Sequence, residues 1–274
     1  MEKISLLRRA WYKFVLNPLG KSLRRDEQAQ DYFFGFVMKQ EIKKFYNETY
    51  IRRFLHIESA IAFIEKKFQQ VPPADIIVDV GGGTGLTAGM FAVAFPKNTV
   101  YVFEPLDSSR QEVESNTASH QNIKVIAKAL GAENKMEKLI VGKSSGVSSF
   151  LQFSPDYQSQ YFSDNLETID EQQAEMIRLD DFLPTGNRIL ILKIDVQGFE
   201  LEVLKGASRC MNDTVLIVLE TNNHEYYAGA PKYHEVDTFL RTAGFELFDL
   251  LPSTRDHLQL KEWDAIYVNR KFLK

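Results

Sequence analysis

Apolar positions recur along this chain in two rhythms. Over residues 4 to 16, Ile4, Leu7, Trp11, Phe14 and Val15 return at intervals of three and four, with Arg9 and Lys13 opposite, which predicts an amphipathic helix. Pro18 and Gly20 stop it. Residues 31 to 70 predict two more helices, the second marked by Ile57, Ile61, Ile64 and Phe68, and Pro72-Pro73 closes this prelude. From Asp75 the rhythm changes to short β-branched runs separated by helical stretches, the signature of βαβ units and a parallel sheet. Strands are predicted over 76–80, 99–103, 123–127, 189–194, 215–220, 246–250 and 265–268, the last of them antiparallel. Most are near-continuously apolar, because a strand covered by helices on both faces has no wet side. Between the third and fourth lies an insert, 131–188, with extra strands predicted at 138–141 and 175–179. The expected architecture is a helical extension (1–74) followed by one α/β domain (75–274) with a Rossmann-like, mostly parallel seven-stranded sheet.

Charge sharpens this division. The 274 residues carry 33 Lys+Arg against 37 Asp+Glu, a formal charge of −4. Residues 1 to 25 alone hold Lys3, Arg8, Arg9, Lys13, Lys21, Arg24 and Arg25 against Glu2, a local +6 that leaves −10 on the rest. So acidic a body has no basic field with which to neutralise phosphates, and nucleic acid is excluded as its partner. The basic head either docks on the domain as a helix or lies on an anionic membrane surface. The single cysteine, Cys210, excludes an intrachain disulfide framework and points to a reducing, cytoplasmic compartment. No secretory signal is legible, and the one apolar window of spanning length, 76–95, is broken by glycines and Asp79.

The chemistry begins where the first strand runs into Asp79-Val80-Gly81-Gly82-Gly83-Thr84-Gly85, with a helical stretch from Leu86. Glycines here let the backbone approach a ligand, and the helix start supplies free N–H groups, so this is a nucleotide-type site. Dinucleotide folds favour G-x-G-x-x-G; Leu86 stands where the third glycine would be, and the acid-led D-x-G-x-G-x-G form is the one used for S-adenosylmethionine. Glu104, ending the second strand in Phe103-Glu104-Pro105, can accept both hydroxyls of a ribose, which suits either NAD or S-adenosylmethionine. Asp79 favours the latter, since a methionine amino group needs a negative counterpart and a pyrophosphate would be repelled.

The fourth strand carries the most specific stretch, Lys193-Ile194-Asp195-Val196-Gln197-Gly198-Phe199-Glu200-Leu201-Glu202-Val203-Leu204-Lys205-Gly206-Ala207. It resembles the hallmark of the FkbM-family methyltransferases, class I S-adenosylmethionine-dependent enzymes. Further matches follow in the family's order: Val78-Asp79-Val80-Gly81, Phe103-Glu104-Pro105, Asn116 with Asn122, Ala129-Leu130-Gly131, Ser148-Ser149, Leu179-Asp180-Asp181-Phe182, and Glu220. The chain departs at Gly82-Gly83, where the family often has Ala-Asn. The resemblance implies that the cofactor lies across the carboxyl ends of the first three strands. The loop Gly81, Gly82, Gly83, Thr84 and Gly85 would face the methionine part, Glu104 and Pro105 the ribose, and Ala129 and Leu130 the adenine edge. It also implies O-methylation of a sugar, a glycan or another small metabolite.

Methyl transfer to a hydroxyl needs alignment and a base. Asp195, Glu220 and His224 are the candidate catalytic residues, all expected at one sheet edge; Asp195 could equally cap the helix that follows. No spacing resembles a metal motif. The aromatic residues Phe150, Phe153, Tyr157, Tyr161 and Phe162 of the insert either line a polyhydroxylated acceptor or form the insert's own core. Two rival readings stay open at this stage, an NAD-dependent oxidoreductase and a non-catalytic membrane-surface adaptor using the basic head.

Overall fold

The computed structural model describes residues 54–143, 145–155, 168–256 and 259–273. The helix expected over 4–16, the basic head, the first helix expected within 31–70, and Tyr157, Tyr161 and Phe162 lie outside the described residues. The compact unit that carries the sheet runs from Phe54 to Lys274.

Its first element is helix α1 (Leu55–Lys67), in which Ile57 and Ile64 of the predicted stripe are fully buried together with Ala60, while Ile61 and Phe68 are partly buried. The sequence grouped this helix with the N-terminal extension, but its apolar stripe packs on the sheet, so it belongs with the domain. The sheet strands and their crossovers then follow as β1 (Ile76–Val80), α2 (Leu86–Ala94), β2 (Thr99–Phe103), α3 (Asp107–Thr117) and β3 (Ile123–Ile126). The insert region begins with β4 (Ala129–Leu130), β5 (Lys135–Gly142) and β6 (Thr168–Ile177). The main sheet resumes with α4 (Leu179–Phe182), β7 (Ile189–Ile194), α5 (Glu200–Gly206), β8 (Thr214–Asn222), α6 (Tyr233–Thr242), β9 (Phe245–Asp256) and β10 (Gln259–Asn269).

The seven-stranded sheet has the order β3-β2-β1-β7-β8-β10-β9, and only β10 runs antiparallel to its neighbours. This is the mostly parallel class I arrangement expected, including the reversed last strand. Alternation along the strands splits the core in two. Ile76, Val78, Ile194, Leu219 and Tyr267 pack with Val203, Leu204, Val236 and Leu240 of α5 and α6. Ile77, Val102, Ile191, Val218 and Ile266 pack with residues of α1, α2 and α3 on the other face. Both faces being covered, β1 and β7 are buried along their whole length.

Two polar residues stand in these buried strands, Asp79 and Lys193, directly paired in the β1–β7 register and pointing to the α1 face. The insert folds as a separate three-stranded sheet of order β4-β6-β5. Its strands run longer than predicted, and the strand expected over 175–179 stops at Ile177. Leu179 instead opens α4, where the Asp180 carboxylate accepts the N–H groups of Arg209 and Cys210, both at 2.9 Å. Gln172 of β6 clips this small sheet to the end of β2, donating to the Pro105 carbonyl at 2.7 Å and accepting from Asp107 N. Among the described residues, no helix is long and apolar enough to cross a membrane.

Candidate active site

Because β1, β2, β7 and β8 are parallel, their carboxyl ends release Gly81, Glu104, Asp195 and Asn222 along one edge. The glycine loop is shaped by what surrounds it. Gly81 has φ +80°, and a Cβ there would collide with the Asp195 carbonyl oxygen, so the loop and the end of β7 touch backbone to backbone. Gly83, at φ +54°, faces open space, and its N–H donates to Glu104 Oε2 at 3.0 Å. Gly85 N donates to Gly82 O, and the Thr84 carbonyl is held by Asn116 Nδ2 at 2.9 Å. The other oxygen of Glu104 accepts the Leu106 N–H at 3.0 Å. Burial pushes the Glu104 carboxyl up against these two N–H bonds, which favour its ionised form.

Beneath the loop, Asp79 is completely buried and neither of its oxygens accepts a well-aligned hydrogen bond. The Lys193 ammonium meets its charge, with Nζ 3.2 Å from Asp79 Oδ1, 3.5 Å from Asp195 Oδ2 and donating at 3.0 Å to the Gly81 carbonyl. Burial works against the ammonium, but Asp79 and Asp195 overcome it, and Lys193 titrates above its ordinary value. The cation within reach of Asp79 in the structure is thus Lys193, and Asp79 lies below the loop with no exposed surface.

Beside this pair the two carboxylates at the ends of β7 and β8 come together. Gln197 Nε2 donates to Asp195 Oδ1 and to Glu220 Oε2, each at 3.0 Å. Asp195 keeps 41% of its side chain exposed. Burial would raise its carboxyl, but Lys193 and the Gln197 hydrogen bond prevail and hold it low. Glu220 is driven the other way, well above the usual carboxylate range, first by burial and then by the charges of Asp195, Glu262, Asp264 and Glu200. Asp264 faces Glu220 across the β8–β10 register and sits 3.0 Å from His56 Nδ1 of α1. The third candidate, His224, lies two residues beyond β8 with its ring 5.3 Å from that of Tyr226. Asp195 does not cap α5. The N-cap position is Phe199, which makes no side-chain cap, while buried Glu200 ties down the turn before the helix, its Oε1 accepting Val196 N at 3.2 Å and Gly198 N at 3.1 Å.

Ala129 and Leu130, expected at the adenine edge, are buried in β4, which pairs with Met176 and Ile177 of β6 on one side and forms the outer strand of the small sheet. Phe150 packs against Phe199 at 5.3 Å and Phe153 stacks on Tyr227 at 5.4 Å, so these two rings of the insert serve as packing. Three residues of this site received no role from the sequence: Lys193, Gln197 and Tyr227. A charged residue inside an otherwise apolar strand was the available sign for Lys193. Nothing local marked Tyr227, which comes from a loop thirty residues beyond Gln197.

A family model described as the methyltransferase FkbM domain matches residues 79–247, more than half of the chain. The chain belongs to this family. Two curated relatives match the chain. "Methyltransferase 1" of Beauveria bassiana is 28% identical over 167 residues, 56% of this chain and 66% of that protein. The AMB antimetabolite synthetase AmbE of Pseudomonas aeruginosa is 29% identical over 210 residues, 65% of this chain but 10% of that much longer protein. The chain thus spans just under two thirds of the first and a small part of the second. Solved structures similar to it include the magnesium protoporphyrin IX methyltransferase of Synechocystis with bound S-adenosylmethionine, at 11% identity, 80% coverage of both chains and a TM-score of 0.46. Another is Streptococcus pneumoniae Sp1610 in complex with S-adenosyl-L-methionine, at 10% identity, 78% and 71% coverage and a TM-score of 0.43.

The FkbM domain is a methyltransferase domain, and the cofactor of that family is S-adenosylmethionine. The site fits this group chemically. The open face of the loop at Gly83 leaves room for it, and Glu104 keeps a free lone pair on each oxygen after its two N–H bonds, as ribose hydroxyls require. Asp195, held ionised and partly exposed at this edge, suits a cationic cofactor and opposes a pyrophosphate.

Two outcomes follow from this geometry. Glu104→Ala is expected to weaken S-adenosylhomocysteine binding at least about tenfold in isothermal titration calorimetry, with a far-UV spectrum unchanged; equal affinity would remove Glu104 from the ribose. Glu200, buried and pushed up to about 7, binds its proton more tightly in the folded than in the unfolded chain. Its contribution to stability is therefore fully present below the unfolded value and is lost as pH rises through about 7. Glu200→Gln should flatten the decline in Tm between about pH 4.5 and about pH 7 and leave the slope above about pH 7 unchanged, in a thermal-melt series.

Proposed function

We propose that the protein transfers a methyl group from S-adenosylmethionine to a hydroxyl of a sugar, a glycan or another small metabolite, with Asp195 receiving the hydroxyl proton. The observation that carries this reading is the divergence of the two carboxyl groups that share Gln197. Asp195 is partly open to the edge and held ionised, whereas Glu220 is pressed toward its neutral form. Paired carboxyls whose titrations are driven apart divide the acid and base roles between them.

When bound, the cofactor supplies a methyl carbon activated by its sulfonium charge. The chain's own residues supply the rest. The loop Gly81 to Gly85 and Glu104 would hold the cofactor, with Ala129 and Leu130 beside its base. Asp195 Oδ1 and Oδ2, steadied by Gln197 and Lys193, would accept the proton that leaves the acceptor oxygen. Glu220 would keep its proton on the carboxyl and so avoid a second negative charge beside Asp195. His224 stands as the further acid–base candidate after β8.

The acidic edge also supports an uncharged, hydroxyl-bearing acceptor, since an anionic one would be repelled. The +6 head supports a second element of the reading, contact of residues 1–25 with an anionic membrane that presents the acceptor.

Incubation with trideuteromethyl S-adenosylmethionine and a panel of methyl glycosides and polyols, read by mass spectrometry, should show a label on oxygen. Asp195→Asn should slow it at least about 100-fold. Label on nitrogen, or undiminished transfer by Asp195→Asn, would overturn the assignment. For the head, co-sedimentation with phosphatidylserine vesicles should fall at least about tenfold when its seven basic residues are replaced by Gln, and retention would reject the membrane contact.

A further inference from the structure

Gln197 has a backbone that no other non-glycine residue among the described ones adopts, with φ +56° in the left-handed region. Such a conformation is strained for a residue with a Cβ and persists only where the surroundings fix it. Here the surroundings are specific. Ser149 Oγ donates to the Gln197 carbonyl at 2.7 Å. The Tyr227 hydroxyl lies 3.0 Å from Gln197 Oε1 and 3.0 Å from the Val147 carbonyl. These contacts decide the amide's orientation. With Oε1 turned to the Tyr227 hydroxyl, both hydrogens of Nε2 are left for Asp195 and Glu220.

The partners come from separate parts of the chain. Val147 and Ser149 belong to the segment that follows β5 in the insert, and Tyr227 to the loop after β8. Phe153 and Tyr227 also form an isolated backbone bridge and stack ring on ring, so the insert segment and that loop act as one support. Gly198, at φ +92°, lies directly under Tyr227, and a Cβ there would press on its ring.

We propose that Gln197 is a positioning residue, a strained amide clamp through which the insert and the loop after β8 fix the Asp195 carboxylate and tie it to Glu220. The inference deepens the reading of Asp195 as the proton acceptor and rests on it. Deleting the clamp frees Asp195 Oδ1 to rotate and leaves only Lys193 to orient the group. The charged and titratable groups that act on Asp195 are Lys193 on β7, Asp79 on β1, Glu220 on β8, His56 on α1 and Glu200 on α5, and Asp264 and Glu262 on β10 act on Glu220. None of these is altered by a change at 197.

The test is a carbon-detected NMR titration of the Asp195 and Glu220 carboxyl groups in the full chain, made with wild type, Gln197→Gly and Tyr227→Phe. Glycine accepts the left-handed backbone without strain, so Gln197→Gly removes the amide with the backbone conformation preserved. A hydrogen bond to the ionised form holds a carboxylate's midpoint down, so its loss should raise the Asp195 midpoint by about half a pH unit or more. Tyr227→Phe, which keeps the amide but loosens its orientation, should shift the midpoint in the same direction by less. An Asp195 midpoint unmoved in Gln197→Gly would overturn the clamp. Were Gln197→Gly not to fold, an unmoved midpoint in Tyr227→Phe would do so. The proton-acceptor reading fails separately, through undiminished transfer by Asp195→Asn.

Discussion

The Lys193 ammonium is the constraint on which the site depends. It sits in a strand buried on both faces, and leaving it unpaired there would cost several kcal/mol of lost hydration. Asp79 on the neighbouring strand, the Gly81 carbonyl and Asp195 all meet it within 3.5 Å. One cation therefore fastens the end of β1, the first turn of the glycine loop and the end of β7. A buried pair of this kind adds little net stability compared with apolar side chains, but it fixes register, because a slip of either strand would strand a charge in the core. The backbone contact at Gly81 reinforces the same junction from above.

Around that junction the edge is organised as a gradient of proton affinity. Asp195 is kept ionised by its cationic neighbour and its amide donor, while Glu220 is crowded by four acids and burial. The asymmetry needs no unusual side chains. It follows from placing one lysine on the Asp79 side of the carboxyl pair and Asp264 on the other. α1 closes the far end through His56 on Asp264, so a helix outside the family-matched span 79–247 still contributes to the electrostatics of the edge.

Several short motifs read in the sequence prove to be backbone anchors. Asn116 holds Thr84, and Asn122 gathers the carbonyls of Phe95 and Asn98 at the end of α2. Asp180 caps the turn at Arg209 and Cys210, and Ser149 pins Gln197. Each satisfies main-chain groups that a turn leaves open. The insert was the least legible region. Its strands are half exposed and its packing partners lie in other loops, so periodicity over 131–188 located the extra strands but misjudged their lengths and assigned Leu179 to a strand.

The sequence by itself determined the seven strands, the reversed last strand, the glycine loop, the acid at 104 and the family, because each is written in a local run: apolar continuity, glycine spacing, or a contiguous hallmark stretch. Only the tertiary structure decided who answers Asp79, which carboxylate is ionised, and that Gln197 bridges Asp195 and Glu220. It also moved α1 from the extension to the domain. Those outcomes depend on strand register and on burial, which set distance and local dielectric, and both arise only when β1, β7, β8 and the insert are brought to one edge.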